Sequence, residues 1–391
     1  MCSSPEIIKR VAESLVAARD NRSGDVEAAL ANLRKVDTTY DKPAPLYRTI
    51  DDFERICAPS KLSYGDGYRL SMAAKKKNNG NPKFIDEMQF GNCHDGQTKL
   101  ILALLEFVQG AVKKFKNAAM HLVYVGASTP AADAVRIAFP SVRQTIFDPA
   151  DNMMRLMPPG YRKVARVTHR IGYHPDDRIV AVRDFFGDET ALNIRSTRGI
   201  DKAGELLLFA SDVRNDNDDE SIVEDMLNQQ RWARLLKCDR FVMKFRIPFD
   251  ESREKSIARY GPPRGFKPDG RTMHYLVGDI YIQAYPPVGS VELRIVGNGR
   301  RRKGYDVSRI EDLMFAHNHF WRPHALFGAS YLQYDHAVEK YILENLPGST
   351  RARVELAIAA NRKRSGKKTM RDCVRKNKGR PGEVGAILAR C

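Results

Sequence analysis

A lysine interrupts one of the most apolar segments of the chain, the ten residues RFVMKFRIPF at 240–249. Strand alternation places Lys244 on the same face as Val242 and Arg246, with aromatic side chains on the other face. Removing an ammonium group from water without a partner costs several kcal/mol. The segment therefore predicts a lysine that is held by acidic side chains from neighbouring strands.

Two carboxylates fall where neighbouring strands would bring them near Lys244. Asp212 ends the segment ELLLFASDVR, and Glu292 lies early in SVELRIV. If the Glu292 strand runs antiparallel beside the Lys244 strand, its early residues lie about 4.8 Å from the late residues of that strand. We therefore expect Lys244 and Glu292 to face each other at one rim of the sheet, with Asp212 close by. A purely structural salt bridge, or a charged edge that faces outward, is the alternative.

The charged residues are expected to lie on strands of one sheet. The sequence contains short apolar runs separated by helical or loop stretches, and these runs are the candidate strands. Strands interleaved with helices predict an α/β doubly wound fold, a largely parallel sheet whose ligands bind beyond the carboxyl ends of the strands. The segment DGQTKLILALLEFVQGAVKKF predicts an amphipathic helix, and DESIVEDMLNQQRWARLLK predicts a second one with Asp218 or Asp219 as its N-cap. The expected strands are HLVYVGAS, RQTIFDP, RIVAVRDFF, ELLLFASDV, RFVMKFRIPF, DIYIQAYP and SVELRIV.

The first of these strands ends in a glycine, as nucleotide-binding turns do. Gly126 in VYVGAS lets the backbone approach a ligand, and Ser128 or Thr129 is expected to cap the next helix. Asp148 ends the following strand, where a carboxylate commonly binds ribose hydroxyls. Asp148 is equally explained as a turn residue ahead of Pro149. A nucleoside ligand is expected, with a nicotinamide-dependent oxidoreductase as an alternative.

The chain of 391 residues carries a net charge of +17 and has a pI near 9.6. Much of this charge lies near the C-terminus, in RARVELAIAANRKRSGKKTMRDCVRKNKGRP. A phosphate polymer is the expected partner, because each neutralised phosphate releases a counterion. A solubilising tail, a nuclear-import signal and contact with an anionic membrane are the alternatives for this segment.

Other classes of site have little support in the sequence. The six cysteines include no CxxC pair, which suits free thiols in a reducing compartment. His317, His319 and His324 in HNHFWRPH have no second cluster at ligand spacing, so no metal site is expected. No secretory leader is visible, and nowhere do eighteen apolar residues follow one another. We therefore expect an intracellular protein that does not act at a membrane.

Five short motifs occur in the order found in one enzyme family. They are GQTK at the start of an apolar helix, VYVGAS, SDVR ahead of an acidic helix, MKFRIPF and VELRI. In this order they resemble the poxvirus-type cap-specific mRNA (nucleoside-2'-O-)methyltransferases, which are also regulatory subunits of a poly(A) polymerase. Related enzymes occur in other large DNA viruses and in kinetoplastids. The resemblance covers residues 90–300 and implies a Rossmann-like sheet of seven strands with the last-but-one position antiparallel.

The resemblance implies a catalytic tetrad, which transfers to Lys99, Asp212, Lys244 and Glu292. Lys244 is the expected general base, Lys99 lowers its pKa, and the two carboxylates orient its amine. A ribose 2'-hydroxyl is a poor nucleophile, and a neutral amine can take its proton as the methyl group leaves a sulfonium donor. Free lysine has a pKa of about 10.4. Burial and a second cation nearby are expected to lower that pKa.

The resemblance also implies sites for S-adenosyl-L-methionine and for the cap. Donor binding transfers to Gln97, Tyr124, Gly126, Ala127, Asp148, Phe186, Asp188 and Asp212. The family's glycine-rich turn is replaced here by GASTPAAD, so the loop around the methionyl end is expected to differ. Phe249 is expected to stack on the methylated guanine, and Asp250 or Glu251 to bind its edge. The family's second ring comes from the N-terminal region, where Tyr64 and Tyr68 in SYGDGYRL are the candidates.

The expected function is methyl transfer from S-adenosyl-L-methionine to a ribose 2'-hydroxyl at or near the 5' end of capped mRNA. The alternative is a catalytically silent RNA-binding subunit that makes a poly(A) polymerase processive. The resemblance implies a nuclear location in a kinetoplastid, or the host cytoplasm and virion for a large DNA virus. The expected parts of the chain are an N-terminal extension (1–90), a methyltransferase domain (91–300), a helical addition (301–350) and a basic tail (351–391).

Overall fold

The computed structural model describes most of the segment that carries the predicted motifs. The described residues are 44–57, 95–150, 162–164, 179–201, 204–216, 218–248, 253–287, 290–322, 327–328 and 332–364. Within these ranges no helix combines the length and the apolar character needed to cross a bilayer.

One mixed sheet forms the centre of the fold. Its strands are β1 (Met120–Val125), β2 (Arg143–Phe147), β3 (Arg162–Val164), β4 (Ile179–Val182), β5 (Leu206–Ser211), β6 (Arg240–Arg246), β7 (Thr272–Tyr281) and β8 (Glu292–Asp306). They lie in the order β3-β4-β2-β1-β5-β6-β8-β7. Neighbouring strands are parallel except that β8 runs antiparallel to both β6 and β7. The predicted doubly wound fold with an antiparallel last-but-one strand is confirmed, and the short β3 adds an eighth strand at the outer edge.

Helices cover both faces of the sheet. They are α1 (Ile50–Cys57), α2 (Gly96–Lys114), α3 (Thr129–Ala138), α4 (Asp188–Asp201), α5 (Asp219–Leu236), α6 (Arg253–Tyr260), α7 (Val307–Ala316), α8 (Tyr334–Glu344) and α9 (Gly348–Arg364). Leu104 of α2 lines a crevice with Ala210 of β5, whereas Trp232 of α5 packs on Phe186, whose ring contacts Phe209. Because successive strand residues point to opposite faces, α2 and α5 lie on opposite sides of β5.

Side-chain caps fix where two of these helices begin. The carboxylate of Asp95 accepts hydrogen bonds from the Thr98 backbone N–H (3.0 Å) and the Thr98 hydroxyl (2.6 Å) at the start of α2. Asp218 accepts a bond of 2.9 Å from the Ser221 N–H, which confirms the predicted cap of α5. Ser128 occupies the N-cap position of α3 but makes no side-chain cap bond, because its hydroxyl donates to Gln97 instead.

The polypeptide on either side of the expected methyltransferase domain packs onto it. Strand β8 runs through the expected boundary at 300, and α9 runs through the one at 350. The guanidinium of Arg362, inside the expected basic tail, is buried and donates to Glu339 (2.8 Å) and towards Asp95 (3.4 Å). Val354 and Ile358 give α9 a buried apolar side, so this helix continues past the expected start of the tail at 351. Residues 365–391 lie outside the described ranges.

A short N-terminal segment also belongs to this packed fold. The backbone N–H of Ile282 donates to the Arg48 carbonyl oxygen (2.8 Å), and the Arg48 guanidinium binds both carboxylate oxygens of Glu106 (2.8 and 2.7 Å). Residues 44–57 are thus tied both to α2 and to the polypeptide after β7. The rest of the expected N-terminal extension, 1–43 and 58–90, lies outside the described residues.

Candidate active site

The amine of Lys244 lies at the carboxyl end of the central parallel strands. Its Nζ is 3.2 Å from Asp212 Oδ1 and donates a hydrogen bond of 3.1 Å to the Asp212 carbonyl oxygen. Lys244 is 9% exposed. Lys244 lies one residue beyond the last residue of β6 that pairs with β5. Its backbone N–H donates to the Gln229 side chain of α5 (3.2 Å). Strand, neighbouring loop and helix together hold this lysine at the rim where doubly wound folds bind ligands.

The cross-strand partner of Lys244 differs from the one expected. The register of β6 with β8 pairs Lys244 with Arg294, and Arg246 with Glu292. The expectation that Lys244 and Glu292 face each other across the two strands was therefore wrong, by two residues of register. Glu292 remains on the same face, because residues two apart on a strand point the same way. The register could not be predicted from the sequence, since it depends on how the two strands align.

Glu292 is held by two cations from other parts of the chain. Lys99 Nζ of α2 lies 2.6 Å from Glu292 Oε1, and the guanidinium of Arg214 binds the other carboxylate oxygen. The Gln283 side chain donates to the Glu292 carbonyl oxygen at 2.8 Å. Burial alone would raise the pKa of Glu292, but Lys99 and Arg294 outweigh it and hold that pKa far below its usual range. Glu292 is therefore an anion that links α2, β8 and the loop after β5.

Arg294 connects the two carboxylates of the site. Its Nη2 lies 2.6 Å from the same Asp212 oxygen that Lys244 approaches, and its Nε donates to Gln283 Oε1 at 2.9 Å. Arg294 Nη2 also lies 3.9 Å from Glu292 Oε1. The arginine is 4% exposed. A guanidinium that is fixed on two sides thus takes up much of the negative charge of Asp212.

The pKa of Lys244 is lowered below its usual value. Burial is the largest cause, and the nearby cations Arg294 and Arg214 add to it, whereas Asp212 and Glu292 act in the opposite direction. The direction agrees with the expectation for a general base. The nearby cations that help to lower this pKa are two arginines. The family resemblance assigned that effect to Lys99, which pairs with Glu292 instead. The amine becomes neutral, and able to accept a proton, at a lower pH than a free lysine.

The residues expected to bind the donor gather around the turn after β1. The Ser128 backbone N–H donates to the Tyr124 hydroxyl (3.2 Å), and the Ser128 hydroxyl donates to the exposed Gln97 side chain. Ala127 is buried and its N–H donates to the Phe147 carbonyl oxygen at 3.1 Å. Burial raises the pKa of Tyr124 above its usual value, which keeps the hydroxyl protonated. The start of α2 and the β1–α3 turn thus form one hydrogen-bonded unit.

Gly126 allows this turn to approach the loop that carries Asp212. Its φ is +66°, and a Cβ atom added there would lie 2.8 Å from the Val213 backbone N and 2.9 Å from the Asp212 carbonyl carbon. The sequence predicted a close approach to a ligand at Gly126. The close approach that the structure shows is to the protein backbone itself. Glycine at this position therefore sets the distance between the first turn and the Asp212 loop.

Asp148 lies at the end of β2, as expected, beside the first turn in the sheet order. One carboxylate oxygen accepts a hydrogen bond of 2.7 Å from the backbone N–H of Ala150, which is the geometry of an Asx turn. Burial raises the pKa of Asp148 above its usual value, although the bond from Ala150 opposes this. The turn contact agrees with the structural alternative for this residue.

The segment RDFFGDE presents a different aromatic ring from the one expected. Phe186 is 8% exposed and packs at 5.0 Å on Phe147 and at 5.3 Å on Trp232, as a core residue does. Phe185, which the family resemblance did not select, is 75% exposed. Asp188 begins α4 and forms an ion pair of 3.0 Å with Arg231. Strand alternation does not extend through this loop, so no local pattern indicates which of the two rings faces outward.

The expected cap-binding residues cannot be placed in this geometry. Phe249 and Asp250 come shortly after β6 and lie outside the described residues, as do Glu251, Tyr64 and Tyr68. Within the described ranges no group of three or more His, Cys, Asp or Glu side chains could hold a metal ion. His317 packs instead in an apolar cluster, where the Tyr47 hydroxyl contacts its Nδ1 at 2.8 Å.

Comparisons with known proteins add only distant likenesses. No protein-family model and no curated protein matches the chain. A mutant of MtNAS matches at 11% identity and a TM-score of 0.25, covering 76% of this chain and 98% of that chain. The same mutant in complex with S-adenosylmethionine matches at 12% identity and a TM-score of 0.25, with the same coverage of both chains. Human methyltransferase-like protein 13 in complex with SAH matches at 12% identity and a TM-score of 0.24, covering 61% of this chain and 96% of that chain. At such TM-scores the fold assignment rests on the strand order alone.

Three residues of the site were missed at the level of the sequence. Arg294 was placed on the correct face by the alternation of VELRIV but received no role. Arg214 in the motif SDVR and Gln283 in the expected strand DIYIQAYP received no role either. Arg214 binds Glu292 and Arg294 binds Asp212 across about 80 residues of sequence. Only the observation that an arginine alternates with an acidic residue on a buried strand would have drawn attention to Arg294.

Proposed function

We propose that the protein transfers a methyl group from S-adenosyl-L-methionine to a ribose 2'-hydroxyl at or near the 5' end of capped mRNA. The observation that carries the proposal is the amine of Lys244, which is buried at the carboxyl rim and has a lowered pKa. A neutral amine in this position can accept the hydroxyl proton, which a charged ammonium cannot do. A lysine that served only a structural ion pair would be favoured as the cation.

The residues around the rim suit such a donor. S-adenosyl-L-methionine would supply the methyl group on a sulfonium that carries a positive charge. The carboxylates of Asp212 and Glu292 provide negative charge near Lys244, and the half-buried Asp148 suits ribose hydroxyls. Tyr124 and Gln97 offer polar groups at the adjoining turn. These side chains would bind and orient the donor, and Lys244 would take the proton from the acceptor.

The acceptor side of the site rests on the sequence. Phe249 and Asp250 follow closely in the sequence after β6, the strand that holds Lys244 at the rim. An aromatic ring there would stack on a methylated guanine, and a carboxylate would bind the edge of the base. Tyr64 or Tyr68 would supply the second ring. Capped mRNA is the acceptor that combines these groups with the lysine base.

Methyl transfer onto short RNA tests the proposal directly. Native protein with methyl-labelled donor should label capped RNA and leave uncapped RNA of the same sequence unlabelled. Lys244→Ala should lower the rate by about 100- to 10,000-fold, the usual contribution of a general base. Lys255→Ala, which removes an exposed lysine of α6, is the matched control and should retain the native rate. Native activity in Lys244→Ala would remove the proposed mechanism.

The alternative is an RNA-binding subunit that assists a poly(A) polymerase and carries out no chemistry. The net charge of +17 agrees with RNA binding in either case. The two hypotheses differ in the methylation assay and in polymerase assays. Absence of methyl transfer by the native chain, together with longer poly(A) products when it is added to a polymerase, would favour the alternative.

A further inference from the structure

Six basic residues lie at or beyond the amino edge of the sheet, on the side opposite the Lys244 rim. They come from α4, from the C-terminal end of α5 and from the far half of β8. The six cations are Arg195, Arg234, Lys237, Arg300, Arg301 and Lys303. All but Arg195 are exposed, and Arg195 is half-buried. We call these six residues the distal basic surface.

The strand register explains why Lys237 and Arg300 lie together. Phe241 of β6 is paired with Gly297 of the antiparallel β8. The chain before 241 and the chain after 297 therefore run beyond the amino end of β6 side by side, which brings Lys237 next to Arg300. The like charges of Arg195 and Arg300 lower the pKa of Lys237, which agrees with this proximity.

The cations of the distal basic surface are not neutralised by carboxylates of the described residues. Several less exposed arginines of the same ranges do pair with carboxylates, as Arg143 does with Glu205 (2.8 Å) and Arg322 with Asp335 (2.9 Å). For the six cations no ion pair to a carboxylate of the described residues is formed. Crowded like charges destabilise a fold by repulsion. Such an arrangement is relieved by a bound polyanion.

The loop that follows α6 extends this surface and adds an aromatic ring. Arg264, Lys267 and Arg271 are exposed there, and the ring of Phe266 is 61% exposed. The loop begins next to β8, because the guanidinium of Arg302 donates to the carbonyl oxygens of Gly261 (2.8 Å) and His274 (2.6 Å). An exposed ring among cations is the usual arrangement for single-stranded nucleic acid, where the ring stacks on a base.

We propose that the distal basic surface binds the phosphate backbone of single-stranded RNA, away from the site of methyl transfer. The choice of RNA rests on the proposed function, and the exposed Phe266 favours a polymer with bases over an anionic membrane. Strand β6 has seven residues, so the two edges of the sheet are separated by about 20 Å. Only an acceptor that extends well beyond its capped end can contact both.

Fluorescence anisotropy with an uncapped single-stranded RNA of thirty nucleotides tests the surface without any catalysis. The double variant Arg300→Glu with Arg301→Glu should bind at least tenfold more weakly. Its plot of log affinity against log salt should be shallower by about 0.7 for each phosphate that the variant no longer neutralises. The control is Lys255→Glu with Arg353→Glu, which changes the net charge equally at two exposed cations elsewhere. The control should bind RNA within twofold of the native protein.

Three results would overturn the proposal. Equal weakening in both double variants would show an effect of net charge alone, and native affinity in the Arg300 variant would show that the surface is not used. Loss of binding to phosphatidylserine vesicles with unchanged RNA binding would assign the surface to a membrane. A thermal unfolding midpoint equal to the native one establishes that the variant is folded.

Methylation assays separate this proposal from the proposed function. The Arg300 variant should methylate a capped RNA of a few nucleotides at the native rate, and should show a raised KM for a capped RNA of thirty nucleotides. Absence of methylation by the native protein would remove the proposed function and leave the anisotropy result standing. An equal rise in KM for the short and the long RNA would instead count against a distal contact.

Discussion

Lys244 and Arg294 lie directly opposite each other on β6 and β8, and both contact the same carboxylate oxygen of Asp212, at 3.2 Å and 2.6 Å. A carboxylate that belonged to Lys244 alone would favour the charged ammonium. The shorter contact with Arg294 takes up that charge, and the arginine itself repels a second cation. Burial and the nearby arginines outweigh the carboxylates, so the amine has a lowered pKa.

Replacing Arg294 with methionine should move the pH dependence of methyl transfer to higher pH. Asp212 would then pair with Lys244 alone, and an unshared carboxylate raises the pKa of a nearby amine by about 1 to 3 units. Because the base acts only when neutral, the rising limb of the rate profile would shift upward by the same amount. Arg294→Lys, which keeps the charge without the hydrogen bond to Gln283, should shift it less. An unshifted profile in a folded variant would contradict this account of the pKa.

Replacing Gly126 with alanine should destabilise the fold and weaken donor binding. The φ of +66° is strained for alanine, and the new Cβ would meet the Val213 backbone at 2.8 Å. Strain of this kind costs about 1 to 3 kcal/mol. Gly348→Ala at the start of α9 is the matched control, since a Cβ at that position would have no atom of the described residues within 4 Å. Urea unfolding and calorimetric titration with the demethylated donor would detect both effects, and equal behaviour of the two variants would refute the close approach.

Replacing Arg362 with methionine should lower the free energy of unfolding by about 3 to 5 kcal/mol, the usual cost of breaking a buried ion pair. Its guanidinium lies between Glu339 and Asp95 and over the ring of Tyr285 at 4.9 Å. Asp95 caps the helix that carries Lys99, so methyl transfer should also fall. Arg353→Met, at an exposed position of the same helix, should change stability by less than about 0.5 kcal/mol. Similar melting curves for the two variants would show that α9 is not part of the packed fold.

Replacing His317 with glutamine should reduce the sensitivity of the protein to acid. Burial lowers the pKa of His317 far below its usual value, so the folded protein keeps this ring neutral. Below about pH 6.5 the unfolded chain binds a proton that the folded chain does not, and the free energy of unfolding falls by up to about 1.4 kcal/mol per pH unit. Denaturant unfolding at pH 8 and at pH 5.5 should show a smaller difference for the variant. An unchanged difference would mean that the ring is protonated in the folded state.

The periodicity of the sequence was sufficient to predict most elements of the sheet. Six of the seven expected strands fall on observed strands, because apolar runs of four to eight residues between helical stretches specify buried strands locally. The seventh, DIYIQAYP, overlaps β7 only at its first three residues, and β3 was not predicted. The same local pattern placed Lys244 at the rim and Asp212 near it. The cap at Asp218 and the end of β2 at Asp148 also follow from neighbouring residues. Catalytic, donor and cap roles stay predictions that the proposed assays would test.

What lies far apart in the sequence was decided by the tertiary structure. Alternation gives the face on which Glu292 and Arg294 lie, but a shift of register along the partner strand changes which of them meets Lys244. Arg362 lies 267 residues after Asp95 in the sequence. From the sequence alone it is read as part of a solvated basic tail, because its ion pairs depend on the packing of α9 against α2 and α3. Local pattern determines what each segment becomes, whereas the pairing of charges depends on packing that brings distant segments into contact. The sequence therefore determined the strands and the basic residue at their rim, and only the fold determined which ions hold that residue.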